Sequence, residues 1–520
     1  MDVDFLRYKF QDGYSGVITK NGFSIGVRHL QMAYMFVSAV VMGAIRGSIG
    51  IAVLAMTDET RRENSSLKIH NWDRRVQGAI LSSFFFGYAM LMLPAELYLK
   101  KLSGKIVVTT MLIVNGALCV AMPTIANRGG WIAVCNAMLF MGMAHSGYSS
   151  IDQSLMEKWL PPNEKKLFSI LINGGLHLGI IIALPVSGIL SQMRLGWELI
   201  YYSLAMMTLS MAVVYGVLTA TSPEDHQAIG DKEKEFIREA LMCYSKKSMP
   251  KPWKRILTSS QFWAVTCAHS ASNALFIFFL SDVPAFIKLF NLPLQDCAWY
   301  SMLPFIAMWI MYVTTSPTLG WISNLNLVSY IIDVTNFRKL VNVLGAIGIV
   351  IGLTVSSNMP PTWTSSAVIS LTVTLGLLGF QFSGFLSSYR DMSENHSGTL
   401  IMLGSTVSSA VGAAVPFITG LVVADDTNTQ RWRPVLLLIA SIYVLCNVIY
   451  TILGSNERQH WDRYDRYGGR KNFGHYNGII GETGSFNTFS LHVGIPDLLN
   501  HHTTEAVKYL FNNLINLFNK

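Results

Sequence analysis

Residues 30–56 read LQMAYMFVSAVVMGAIRGSIGIAVLAM, 27 residues that are predominantly apolar and carry a single charge, Arg46. A helix of about 20 apolar residues crosses a bilayer, so this stretch predicts a membrane span. An arginine near the centre of a span costs about 2.5–3.5 kcal/mol even on the most lenient insertion scale. Something must offset that cost, and a polar cavity between helices is the usual answer. Gly43 and Gly47 flank the arginine in a small-xxx-small pattern, which lets a neighbouring helix approach closely. Two roles suit Arg46: an anion site or ion-pair switch inside a transport pathway, or an arginine that snorkels or pairs at a helix interface. Its central position makes either surface hard to reach.

The rest of the chain is of the same kind. Of its 520 residues, 51% are apolar and 13% charged, against about 25% charged in soluble domains. This places it in the multi-spanning membrane class. The net charge of +8 comes from 39 basic and 31 acidic residues. In a membrane protein that excess reads as a topology signal, and no nucleic-acid partner is expected. The six cysteines, Cys119, Cys135, Cys243, Cys267, Cys297 and Cys446, fall mostly inside apolar runs. Their spacing suggests neither a metal site nor a disulfide framework. Residues 1–29 are polar, with no visible cleavable signal, so the first span is expected to act as the targeting signal.

About twelve apolar segments follow one another, near 30–56, 76–99, 105–126, 131–156, 167–193 and 197–220, then 261–288, 298–319, 340–357, 363–388, 399–423 and 434–454. The organisation is a cytoplasmic N-terminus (1–29), a six-helix half (30–221), a charged linker (222–258), a second six-helix half (259–455) and a tail (456–520). The linker opens with EDHQAIGDKEKEFIREAL, whose alternating charges suit a solvated helix on the membrane face. Six plus six helices around a polar middle loop is the layout of the major facilitator fold, an all-α membrane architecture whose site lies at the midplane between the halves. A weak echo between the halves agrees with it: Gly179, Pro185 and Gly188 in the fifth segment, Gly412, Pro416 and Gly420 in the eleventh.

Lysines and arginines after the second, fourth and eighth segments (Lys100, Lys101, Lys105; Lys158, Lys165, Lys166; Arg338, Lys339) put those loops, and both termini, on the cytoplasmic side. The loop 57–75 runs against the rule with Arg61, Arg62, Lys68, Arg74 and Arg75, yet the other odd-numbered loops are poor in charge, so it is placed outside. Asn64 there heads a sequon that can carry a glycan, whereas Asn395 lies on the cytoplasmic side. The tail is soluble in composition, and its last sixteen residues, EAVKYLFNNLINLFNK, can form an interfacial helix or dock on the protein itself.

Beside Arg46, several polar residues in the spans are candidates for a site. His145 and Asp152 lie seven apart in the fourth segment and are expected to share a helical face. They can relay protons or passively line a wet interior. Asn173 and His177 form an i, i+4 pair in the fifth segment, and His269 and Asn273 another in the seventh. Asn173 and Asn273 are assigned to the pocket, with Gln381 of the tenth segment. Asp282, before Pro284, is read as a cap or gate, and Tyr88 and Phe84 as core or cavity lining. No nucleotide loop, dinucleotide turn, zinc spacing or nucleophile elbow is present. The economical reading is therefore a secondary transporter, not an enzyme, and two six-helix halves suit alternating access better than a channel.

The chain also resembles a known family, the anion-transporting major facilitator group of sialin, the vesicular glutamate transporters and the type I sodium/phosphate cotransporters. The resemblance covers about 30–461. It rests on Arg46 with Ile51-Ala52-Val53-Leu54-Ala55-Met56; on Trp72 and Gln77-Gly78-Ala79-Ile80-Leu81-Ser82-Ser83-Phe84-Phe85-Phe86-Gly87-Tyr88; and on Lys158-Trp159-Leu160-Pro161-Pro162-Asn163-Glu164-Lys165. Leu184-Pro185-Val186-Ser187-Gly188, Ala268-His269, Ser397-Gly398-Thr399-Leu400 and Ile452-Leu453-Gly454-Ser455 with Trp461 complete it. It implies symport or exchange of a small organic or inorganic anion, with Arg46 helping to bind it and H+ or Na+ as the possible coupling ion; no other cofactor or metal is implied. The chain departs from the family where a second arginine is usual (Met138), where an acid follows seven residues later (His145), at Pro94-Ala95-Glu96 and at Asn324. His145 in place of the acid implies a proton carrier titrating nearer neutral pH. The alternative from another class is a transport-inactive membrane receptor or scaffold. The membrane is expected to be the plasma membrane or that of a vesicle or lysosome, and oligomeric state is not legible.

Overall fold

Helix α1 (Val27–Met56) is the 30-residue helix that the opening stretch requires. The computed structural model describes residues 26–61, 68–98, 102–242, 251–323, 334–360, 362–393, 395–423, 429–455 and 457–462. Asn64, Asn324 and the terminal helix of the tail lie outside them. The described residues are helical, without strands. After α1 come α2 (Arg74–Tyr98), α3 (Gly104–His145), α4 (Tyr148–Trp159), α5 (Pro162–Gln192) and α6 (Gly196–Leu218). The linker carries α7 (Asp231–Met242) and α8 (Trp253–Leu257). The second half holds α9 (Ser260–Ser281), α10 (Val283–Lys288), α11 (Leu294–Ser323), α12 (Val334–Ser357), α13 (Thr364–Met392), α14 (Ser397–Val422) and α15 (Thr429–Leu453).

Among the described residues, eleven stretches are long and apolar enough to cross a membrane, and one of them, Gly104–Trp159, runs for 56 residues. At about 1.5 Å per residue it is far longer than the roughly 30 Å of one hydrocarbon layer. It contains two crossings, which meet at Gly130, whose φ of 68° and ψ of −170° only glycine adopts readily. Counting both crossings, the expected twelve spans are present, six in each half.

Glycines set the closest helix packing, as Gly43 and Gly47 suggested. A Cβ on Gly43 would lie 2.1 Å from the carbonyl oxygen of Leu176, and one on Gly47 2.8 Å from the Cα of Ile180, so α1 and α5 meet backbone to backbone. At Gly142 a Cβ would lie 1.9 Å from the carbonyl oxygen of Phe84, which seats α3 on α2.

The linker is pinned rather than merely solvated. The Glu233 carboxylate accepts the N–H groups of Val27 (3.0 Å) and Arg28 (3.2 Å), satisfying donors that the start of α1 leaves open. It also pairs with the Arg28 guanidinium at 3.1 Å, whose remaining edge meets Glu164 at the start of α5. This end of the bundle is the linker end; the opposite one, where α1 finishes, is the far end.

The halves join at the far end. A Cβ on Gly50 would meet the Leu280 carbonyl oxygen at 2.5 Å, one on Gly78 the Pro416 carbonyl oxygen at 2.5 Å, and one on Gly188 the Cβ of Ala298 at 2.5 Å. Two ion pairs cross the same seam. Arg74 at the start of α2 pairs with Asp282 after α9 at 2.5 Å, with side chains 2% and 0% exposed. Lys288 of α10 pairs with Asp58 after α1 at 3.0 Å. Asp282 thus serves as a cross-half partner, in line with the gate reading.

Candidate functional site

Arg46 sits on α1 where the two halves face each other. Its guanidinium carbon lies 5.7 Å from the ring centre of Phe85 and 5.5 Å from that of Tyr88, both on α2, and 5.2 Å from that of Phe276 on α9. Its Nε has no hydrogen-bond partner, and among the described residues no carboxylate pairs with it. Among those residues it is also the one lysine or arginine in the middle of a span; the others stand near helix ends or in loops. Aromatic faces attract a cation by about 0.5–2 kcal/mol each, more when desolvated. They ease its burial without cancelling its charge, and leave its in-plane donors for an anion.

Two histidines complete the surroundings. His145, at the end of α3, is buried, with its ring 5.7 Å from that of Phe84 and 6.2 Å from that of Tyr88. Tyr88 therefore touches both Arg46 and His145. His177 on α5 lies 6.2 Å from Phe276 and is stacked 6.2 Å from Tyr312 of α11. Its Nδ1 faces the Asn173 carbonyl oxygen at 3.1 Å. A carbonyl only accepts, so Nδ1 carries the hydrogen and Nε2 of the neutral ring is an acceptor. The aromatic surface runs on through Phe382 and Phe385 of α13 to His269 of α9.

The structure separates His145 from Asp152. The expected continuous helix breaks because Gly147 adopts a left-handed φ of 74°, which ends α3 and starts α4. Asp152 is buried one turn past Tyr148, whose hydroxyl meets Ser38 at 2.7 Å and the Met35 carbonyl at 3.3 Å. Ser38 precedes Arg46 by eight residues, about 12 Å along α1 toward the linker end. His145 thus belongs to the Arg46 surroundings, and Asp152 to a separate layer.

The three amides each make hydrogen bonds within the protein. Asn173 donates to Ser169 Oγ at 3.4 Å. Asn273 donates to the Ser408 carbonyl at 3.0 Å, tying α9 to α14. Gln381 is fully buried; it donates to the Asn342 carbonyl at 3.0 Å and to Asn447 Oδ1 at 2.9 Å, and accepts from the Tyr443 hydroxyl. Gln381 is a node between α12, α13 and α15, not a neighbour of Arg46. Met138 is buried in the apolar core. The sequence reading missed Phe85, Phe276 and Tyr312. Phe276 lies three residues after Asn273 and Phe85 three before Tyr88, so the i, i+3 neighbours of the marked residues point to two of them.

Residues 35–416 match the Major Facilitator Superfamily, well over half of the chain. The chain belongs to that superfamily. Among curated proteins it is similar to a putative inorganic phosphate cotransporter of Drosophila melanogaster, 25% identical over 84% of this chain and 86% of that one. It is similar to human sialin, 25% identical over 84% and 90%, and to vesicular glutamate transporter 1 of Xenopus laevis, 24% identical over 80% and 73%. In fold it matches a bacterial homolog of the human lysosomal transporter Spinster, solved inward-facing, with a TM-score of 0.64, 11% identity and coverage of 85% and 100%. The xylose transporter XylE from E. coli, inward open, gives a TM-score of 0.61 at 10% identity, covering 82% and 96%. The chain is a multi-pass membrane transporter of a carrier superfamily, related to anion transporters.

Proposed function

We propose that the protein is a secondary active carrier that moves a small organic or inorganic anion across its membrane by alternating access, coupled to protons, sodium or membrane potential. The observation that carries this reading is the guanidinium of Arg46, half-buried between the halves, with its Nε buried and, among the described residues, no carboxylate beside it. A partly desolvated cation with no such partner is stabilised most directly by a bound anion. The printed names of the relatives, phosphate cotransporter, sialin and glutamate transporter, support the same class. On this reading His145, which shares Tyr88 with Arg46, exchanges a coupling proton, and Asp152 passes one toward the linker end. The linker end is assigned to the cytoplasm with both termini, in a plasma membrane or a vesicle or lysosome membrane. Asn64 is assigned to the opposite side as a glycan acceptor.

The test is uptake into proteoliposomes. Labelled phosphate, urate, glutamate and sialic acid are offered under separate proton, sodium and voltage gradients, with Arg46→Ala beside the parent. Saturable uptake of one anion, driven by one gradient and lost in the variant, is expected. Uptake indifferent to Arg46 counts against the Arg46 site, and none from folded protein with any anion counts against transport and favours the receptor reading.

A further inference from the structure

We propose that the anion is a monovalent carboxylate carried on an aromatic or otherwise flat apolar body, rather than inorganic phosphate or a dicarboxylate; this rests on the anion-carrier reading above. Charge argues first. Arg46 brings one positive charge to the midplane, and among the described residues no second lysine or arginine stands near it. Buried Met138 occupies the position where the family resemblance expects another. With His145 and His177 neutral, a monoanion neutralises the site. A dianion leaves a net negative charge in an apolar chamber, where desolvation is costly and uncompensated.

The walls argue second. The rings of Phe85, Tyr88 and Phe276 lie 5.2–5.7 Å from the guanidinium carbon, and the aromatic surface continues past His177 to Tyr312 and Phe382. A carboxylate meets a guanidinium in its plane, edge to edge. The body of such an anion then has to lie among the rings, where stacking favours a flat apolar group.

The third argument is what the site no longer offers. A substrate rich in hydroxyls needs several polar partners, and unmet ones are expensive. Gln381 spends both amide hydrogens on the Asn342 carbonyl and Asn447, and Asn173 and Asn273 each give one, to Ser169 and to the Ser408 carbonyl. His177 supplies an acceptor through Nε2 in its neutral form, which suits a single hydroxyl or N–H on the ring of the substrate.

The experiment measures ligand-induced thermal stabilisation of the purified full-length protein. The probes are benzoate, indole-3-acetate, acetate, succinate and inorganic phosphate, tested on the parent and on Arg46→Gln, Phe276→Leu and Tyr88→Leu. Half-saturation for the two aromatic acids is expected about tenfold below that for acetate, succinate and phosphate, the scale of one or two ring contacts. Phe276→Leu or Tyr88→Leu should raise it severalfold more for the aromatic acids than for acetate, and Arg46→Gln should remove all binding. Melting midpoints without ligand verify that each variant is folded. Arg46-dependent binding of phosphate or succinate as tight as that of the aromatic acids overturns the proposal and leaves the anion-carrier reading standing. An aromatic preference untouched by both ring variants overturns it too. No Arg46-dependent binding of any anion by folded protein overturns both.

Discussion

Replacing Asp282 by Asn should open the far end of the bundle. Asp282 Oδ1 holds Arg74 Nη2 at 2.5 Å, its Oδ2 accepts from the Ser281 hydroxyl at 2.7 Å, and neither side chain of the pair meets solvent to more than 2%. The substitution keeps the shape and removes the carboxylate charge that faces the buried Arg74 guanidinium. Breaking a buried pair in this way costs about 3–5 kcal/mol. Arg74 keeps the Gln77 side-chain oxygen at 3.1 Å and the Trp432 ring at 5.3 Å, so the lower limit applies. The cost arises only while the halves meet at the far end, because separation lets water reach Arg74. About 3 kcal/mol corresponds to a shift of roughly 150-fold toward the far-end-open state. The assay is a pulsed electron–electron distance measurement between spin labels at Leu195→Cys and Trp363→Cys, two exposed far-end sites on opposite halves, with the native cysteines replaced. The parent should give one short distance and Asp282→Asn a dominant longer one. Arg74→Gln added to Asp282→Asn should restore part of the short population, since both charges of the pair are then removed together. An unchanged distribution in a folded Asp282→Asn protein would refute the reasoning.

Gln381→Leu removes the hydrogen bonds that Gln381 makes with the Tyr443 hydroxyl, the Asn342 carbonyl and Asn447 Oδ1, the last of which still accepts from Asn342, so the melting midpoint should fall, at about 0.5–1.5 kcal/mol for each bond lost. The half-saturation of transport should stay unchanged; a large rise with stability intact would return Gln381 to the site. His70, outside the spans, is buried against Trp72 and Trp197, and burial, with Lys68 nearby, holds its pKa below 6.5. Its unfolded form then binds more protons than the folded one, so stability is full above about pH 6.5 and is lost as pH falls toward the lowered folded value. The drop in melting midpoint between about pH 7.5 and 5.5 should shrink in His70→Asn, and an equal drop would show that His70 does not carry it.

Spans and halves were legible because a bilayer imposes local rules: apolar runs of sufficient length, few charges, and glycine where helices touch. Arg46 stood out for the same reason, as a charge where the solvent allows none. The rest depended on partners that the chain brings together from far away. Arg74 read as one more basic residue in a loop that broke the charge rule, yet it is buried against Asp282, more than two hundred residues distant. His145 and Asp152 looked like neighbours on one face until Gly147 turned the backbone between them.

Asn173, Asn273 and Gln381 read as pocket lining because polar groups inside a membrane are costly and so invite a role. Whether that cost is met by a substrate or by another helix is decided only when the other helix is in place. What the sequence by itself determined is the membrane class, the twelve spans in two halves and the single central cation, all consequences of solvent and period. What only the tertiary structure decided is the company that cation keeps: three rings, two histidines and, among the described residues, no carboxylate. Hydrogen bonds and ring contacts act over a few ångströms between residues far apart in the chain, a distance that order along the chain does not encode.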